Sequence, residues 1–301
     1  MPTSLLREAG HPGLRVHKAV RSPDLELALA EGRRTGDGDD WFRTGPVKLF
    51  SDGALGSRTC HMSHDFADQQ GNHGIAVTPY ADLLAQVRSA NGAGLAVAVH
   101  AIGDRANQLV LDAFEAAGPV GLRNRIEHAQ HLRPVDVQRM ARLGIVASMQ
   151  PTHCTSDIDL AEQLLGDRDS ASYARRSLLN AGVPLAFGSD APVEEANPFH
   201  AMYAAMTRTR PDGTPDGGWQ PGQRLSAGEA LTAHTLGSAW AAGEDHRKGV
   251  LAPGFLADFV VVDTDPHVAP PEAVRAATVL TTVVGGLVRW QHDRSTQPTR
   301  A

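Results

Sequence analysis

Cysteine is almost missing: Cys60 and Cys154 are the only two in 301 residues. That is too few for a disulfide framework, and their separation is not that of a zinc knuckle. Buried free thiols in a reducing cytoplasm are the plain expectation. No apolar run reaches the ~20 residues that cross a bilayer. The first ten residues are polar and lack the apolar stretch of a signal peptide, so the expected location is cytoplasmic, without a membrane partner. An excess of basic residues is missing too. The formal net charge of -6 gives no reason to expect nucleic acid or anionic lipid as a partner. No glycine-rich dinucleotide fingerprint follows any predicted strand, which argues against a Rossmann sheet, and there is no repeat of fixed period.

What remains is an ordinary globular composition, 42% hydrophobic and 21% charged, long enough for one large α/β domain or two smaller ones. Short apolar runs alternate with stretches of helical period. Strands are expected at 14–20, 47–50, 95–99, 125–127, 145–149 and 183–187, and helices at 80–91, 107–117, 135–143 and 172–181. Apolar strands separated by helices indicate a parallel sheet of βαβ units, either open or closed into a barrel. A Pro/Gly-rich stretch, 211–222, reads as a long loop or lid. Residues 225–242 read as one strong helix opened by a capping box, Ser226 with Glu229. The segments 255–262, 278–284 and 287–290 are β-rich, and residues 1–10 and 293–301 are expected to fray.

Histidine is the informative excess, with 14 in the chain. Lys48, His100, His128 and Asp190 each close a different predicted strand, and the carboxyl ends of parallel strands are where barrel active sites are built. A lone strand-end histidine is more often a hydrogen-bonded structural residue. Lys48 alone would be a solvated lysine, and Asp190 a turn or helix cap. Four such groups on four strands are better explained by metal-assisted hydrolysis, in which His and carboxylate ligands leave a position open for water.

Five stretches carry a family resemblance: VKLFSDGALGSRT (47–59), VHAIGDRA (99–106), RIEHAQ (125–130), SMQPTH (148–153) and FGSDAPV (187–193). With the tail KGVLAPGFLADFVVVDTDP (248–266), they resemble the amidohydrolase superfamily, in particular its amidohydrolase 3 branch around N-substituted formamide deformylase. The likeness runs from about residue 14 to 290 in family order. It implies an α/β fold, a (β/α)8 TIM-type barrel, here with about strands 3–8, spanning 11–245. A remnant of a small β-sandwich follows at 246–292. It also implies a divalent metal, zinc first, as one or two ions held by Lys48, His100, His128 and Asp190. Lys48 matches the lysine that is carboxylated on its amine in members with two metals, which turns a cation into a bridging anion. Asp190 matches the general base and acid that takes a proton from bound water and returns it to the leaving nitrogen. The implied substrate is a small molecule with a non-peptide C–N bond of amide type.

Around these positions, Asp52 and Arg58 in the loop after the lysine strand are candidate substrate contacts, as are Asp104, Gln150 and His153. Asp104 and Arg105 are alternatively supports for His100, and Glu127, on the opposite side of its strand from His128, reads as structural.

One part of the family pattern is absent. The paired His-x-His that closes the first barrel strand has no counterpart, because no two of the histidines are one residue apart. The expectation is therefore a fragment that begins near the third strand, with weakened metal binding and with the third and eighth strands as open edges. Its partner would be a missing N-terminal segment or a further copy in a homo-oligomer. A second class remains open, a non-catalytic truncated barrel or interaction protein, and metal content separates the two.

Overall fold

The computed structural model describes residues 13–166 and 171–293. The expectation of frayed ends at 1–10 and beyond 293 falls outside the described residues.

Six parallel strands form one curled sheet in the order β1 (Val16–Arg21), β2 (Phe42–Phe50), β3 (Val97–Ala101), β4 (Arg125–His128), β6 (Val146–Met149) and β8 (Leu185–Phe187). All five pairings are parallel, so this is the sheet of an incomplete (β/α)8 barrel. Helices cross over between strands: α1 (Leu25–Ala30), α2 (Tyr80–Gly92), α3 (Asp104–Ala117), α4 (Pro134–Leu143), α5 (Pro151–Ser156), α6 (Ile158–Leu165) and α7 (Arg175–Asn180), and α8 (Pro198–Thr207) follows β8. Two short strands, β5 (His131–Leu132) and β7 (Ala171–Ser172), pair with each other and tie the segment after β4 to the one before α7.

Strand alternation decides which side chains face the helices. Val47, Leu49, Val97, Val99, Ile126, Ala147, Leu185 and Phe187 join one core with the helices. The intervening positions face the concave side. In register across that side lie Phe50, His100, Glu127, Ser148 and Ala186, with Lys48 and Arg125 one pleat below. Glu127 therefore does not stand away from the site, as its strand position had suggested; it lies in the same row as His100.

The helix expected over 225–242 is broken in the middle. Ala227–Thr232 is α-helical, Ala233–Gly237 widens into a π-turn, and Ser238–Ala241 returns to α. The cause is close backbone contact with β8. A Cβ on Gly237 would sit 2.0 Å from the Leu185 carbonyl oxygen, and Ser238 Oγ donates to the Phe187 oxygen at 3.0 Å. The same contacts correct the expectation of a bare eighth strand, because a helix covers its edge. The capping box is present: Ser226 Oγ accepts from Glu229 N, and the Glu229 carboxylate accepts from Ser226 N at 2.7 Å. Replacing Ser226 with alanine is expected to lower unfolding free energy by ~1 kcal/mol; an unchanged urea midpoint would contradict that assignment.

Beyond this helix, β9 (Phe259–Val262), β10 (Val279–Val284) and β11 (Leu287–Gln291) make a small antiparallel sheet in the order β11-β10-β9. Arg15, stacked on Trp41, holds Asp258 through two hydrogen bonds of 2.6 and 2.9 Å and fastens this sheet beside β1. Its strands leave Val260, Leu287, Val288 and Trp290 roughly half exposed. No helix among the described residues is long and apolar enough to cross a membrane. Both cysteines are free and buried.

Candidate metal centre

His100 is delivered by alternation, on the concave face at the carboxyl end of β3. His128 is not. Its parity matches Ile126, which faces the helices, but the backbone turns left-handed at His128 (φ 75) and Ala129 (φ 43). Two consecutive non-glycine residues in that region are costly and need surrounding support. The result is an imidazole turned toward the mouth, with ring centroids 4.6 Å from His100 and 5.7 Å from His153. His153 arrives one short turn after β6, carried on α5 behind Gln150 and Pro151. Asp190, also left-handed (φ 57), follows β8 and is exposed at the rim.

His128, His153 and Asp190 each bring one ligand atom into a group whose members all lie within 4.8 Å of one another. Two further observations fit a cation there. His153 Nε2 is buried without any hydrogen-bond partner, a costly arrangement unless something binds it. His128 Nδ1 lies 2.9 Å from Gln150 Oε1; the amide oxygen can only accept, so Nδ1 carries the proton and Nε2 keeps its lone pair. Burial, with His100, Lys48 and His153 nearby, pushes the His128 pKa down to about 3, so the ring is neutral and ligand-competent at physiological pH.

Lys48 and His100 flank this group. Burial lowers the Lys48 pKa, against the pull of Glu127 and Asp190, and its ammonium rests 4.8 Å from the Phe50 ring centre. His100 Nε2 donates to the Gly53 carbonyl at 2.9 Å, which leaves Nδ1 as its free lone pair; burial lowers its pKa as well. Burial opposes charge on Glu127, yet Arg125, Lys48 and the Ser148 hydroxyl together hold its carboxyl below the ordinary value.

The residues expected to touch substrate divide. Gln150 and His153 are in the cluster, and His153 stands as a ligand candidate rather than a rim contact. Asp52 is turned inward instead. Its carboxylate accepts from the backbone N–H groups of His61 (2.9 Å), Ile102 (3.0 Å) and Gly103 (2.8 Å), and stands 3.5 Å from His100 Nε2. Asp104 is likewise buried and accepts from Ser63 N at 2.8 Å and from the Ser63 hydroxyl. It anchors the 61–64 loop and makes no bond to His100. Arg58 pairs with Asp68 at 2.5 Å, and Arg105 reaches Gln108 at 2.8 Å.

Comparison with known proteins places the chain in one family. The profile described as "Amidohydrolase family" matches residues 6–289. The chain is 41% identical over 268 residues to Protein LONG AFTER FAR-RED 3 of Arabidopsis thaliana, covering 87% of this chain and 45% of that protein. It is 29% identical to N-substituted formamide deformylase of Arthrobacter pascens, covering 84% and 47%. An uncharacterized metal-dependent hydrolase from Pyrococcus horikoshii OT3 superposes with a TM-score of 0.80 at 31% identity, over 89% of this chain and 54% of that one. The chain thus spans about half the length of the relatives it matches. With nearly all its residues under one profile and its fold shared with a metal-dependent hydrolase, the chain belongs to the amidohydrolase family.

Proposed function

We propose that this chain is the C-terminal portion of a metal-dependent hydrolase that opens non-peptide C–N bonds in small amides. The observation that carries the reading is the meeting of His128, His153 and Asp190 around one point, with His153 Nε2 left unpartnered. Two imidazoles and a carboxylate are zinc-type ligands that leave a coordination position open, and His100 Nδ1 is a further donor beside them. A divalent cation held there supplies a lowered water pKa and a polarised substrate carbonyl. The chain's own residues do the rest. Gln150 fixes the His128 tautomer. Asp190, exposed at the rim, takes a proton from the attacking water and returns it to the leaving nitrogen.

Lys48 fits the carboxylated lysine of two-metal relatives, because burial favours the neutral amine that adds carbon dioxide with release of one proton. The amide class is supported by the name of the Arthrobacter pascens relative. The division into a partial barrel at 11–245 and a sandwich portion at 246–292 belongs to the same reading. The fragment reading is supported by the absent His-x-His, the six-stranded sheet, and the half-exposed apolar residues of β9 and β11.

Metal content is the first test. The purified chain, loaded with zinc and desalted, is expected to retain bound metal. His153→Ala is expected to weaken that binding at least ~10-fold by chelator competition, with an unchanged circular dichroism spectrum. A parent chain that keeps no metal would instead identify a non-catalytic remnant. Release of amine from N-formyl amines, assayed on the chain assembled with an N-terminal portion, tests the bond type.

A further inference from the structure

We infer that the protein carries a second, closed site for a small monovalent anion of the chloride type, between Arg175 and Arg208. Both side chains are fully buried, at 0% exposure, and neither forms an ion pair with a carboxylate among the described residues. They are immediate neighbours, because the backbone joins them twice. The Tyr173 carbonyl accepts from Arg175 N at 2.8 Å and from Arg208 Nη1 at 2.9 Å. The Ala204 carbonyl accepts from Arg208 N at 3.0 Å and from Arg175 Nη2 at 3.4 Å.

The two guanidinium groups differ in what satisfies them. Arg208 is surrounded by neutral oxygens, with Nε donating to the Trp219 carbonyl at 2.5 Å and the group lying 5.2 Å from the Trp219 ring centre. Among the described residues the Arg175 guanidinium has only the long contact to Ala204. Its Nε and Nη1 are buried and have no acceptor. A guanidinium stays charged in proteins, and a buried charge without a counter-charge is among the costliest arrangements a fold can hold. Burial, with Arg175 beside it, already draws the Arg208 pKa down to about 10. The neighbouring carboxylate of Asp157 is spent elsewhere, accepting from Gln130 Nε2 at 2.9 Å and from the Tyr173 hydroxyl at 2.5 Å.

Closure selects the ligand. With no exposed surface at either arginine, an organic anion or a substrate carboxylate has no way in, whereas a halide enters during folding or by local opening. One negative charge suffices, because carbonyl oxygens already satisfy most of Arg208. The position gives the ion a structural task. Arg175 opens α7 and Arg208 follows the last residue of α8, so the anion clamps the segment carrying Tyr173 to the helix that follows Asp190.

The test uses the full 301-residue chain. Melting temperature is compared in sodium chloride and in sodium methanesulfonate at equal ionic strength and pH 7. The wild type is expected to melt about 5 °C higher in chloride at ~100 times its dissociation constant, and Arg175→Met is expected to lose the difference. Equal wild-type melting in the two salts overturns the proposal and leaves water as the occupant; so does a variant that keeps the full difference. Should Arg175→Met fail to fold, a bromide-grown wild-type crystal decides. An anomalous peak within hydrogen-bond distance of Arg175 Nε upholds the site, and its absence at a fully ordered arginine overturns it.

Discussion

Asp52→Ala is expected to destabilise the protein by about 3–5 kcal/mol. The Asp52 carboxyl is fully buried and is the common acceptor for three backbone N–H groups from two separate loops. Alanine would leave those three donors without partners, at ~1–3 kcal/mol each. Part of that cost is offset, because a buried charge disappears as well. Burial pushes the Asp52 pKa up to about 7 even with the three donors favouring the anion. A pKa above the ordinary 3.8 means the folded state holds the proton more tightly than the unfolded chain. This contribution is therefore fully present below about pH 4 and is lost as pH rises through 7. Asp52→Asn removes the titration, so the difference in stability between wild type and Asn should favour the wild type more at pH 5 than at pH 8. Urea unfolding of the three proteins at both pH values measures this. A loss below 1 kcal/mol for Asp52→Ala would mean that water replaces the carboxylate.

Asp52 also shows where reading the chain linearly stops working. A polar residue in a glycine-containing loop after a barrel strand suggests a rim contact, and nothing local says that two loops will fold over it. The strand-end residues were far more legible. Lys48, His100 and Glu127 follow from period-two alternation in runs whose other members are Val, Leu, Ile and Ala, although Glu127 needed the cross-strand register with His100 to be assigned to the right face. His128 lies on a strand whose parity sends it to the wrong side. Only the left-handed backbone at His128 and Ala129 returns it to the mouth, and single-residue dihedral changes leave no period in a sequence. His153 was visible as a residue near the site but not as a ligand, since Pro151 starts a new helix and resets the geometry. The π-turn has the same origin. A strong helical pattern covers 225–242, but its backbone must pass over the Leu185 carbonyl, and Gly237 is the only mark of that contact.

The small antiparallel sheet connects these observations to the half-length of the chain. Its strands are β-rich and predictable, yet they bury few of their side chains: Leu287, Val288 and Trp290 remain about half exposed. A second layer on this three-stranded sheet would make the proposed sandwich, and the barrel sheet has six strands among the described residues where closure takes eight. On the proposed fragment reading both deficits are of one kind, missing layers, and a single additional segment would supply both. The Arg15–Asp258 clamp ties the two sheets together, so on that same reading such a segment would meet a prepared surface.

Asp190→Asn is expected to cut amide turnover at least ~10²-fold in the chain assembled with an N-terminal portion, while metal content stays near that of the parent. In the proposed mechanism this residue serves proton transfer rather than structure. It is exposed, it follows the last barrel strand, and its oxygen lies within 4.8 Å of the His128 and His153 nitrogens. Asparagine keeps the size and a coordinating oxygen but cannot take up a proton at neutral pH. The two effects therefore separate, with ligation mostly retained and the proton shuttle lost. His153→Ala should behave in the opposite sense, losing metal first and activity in consequence, so that added zinc partly restores it. The pair discriminates between mechanisms because Asp190→Asn should not respond to added metal at all. An Asn variant that hydrolyses amides at near-normal rate would remove Asp190 from proton transfer, and one that loses both metal and activity would reduce it to a ligand.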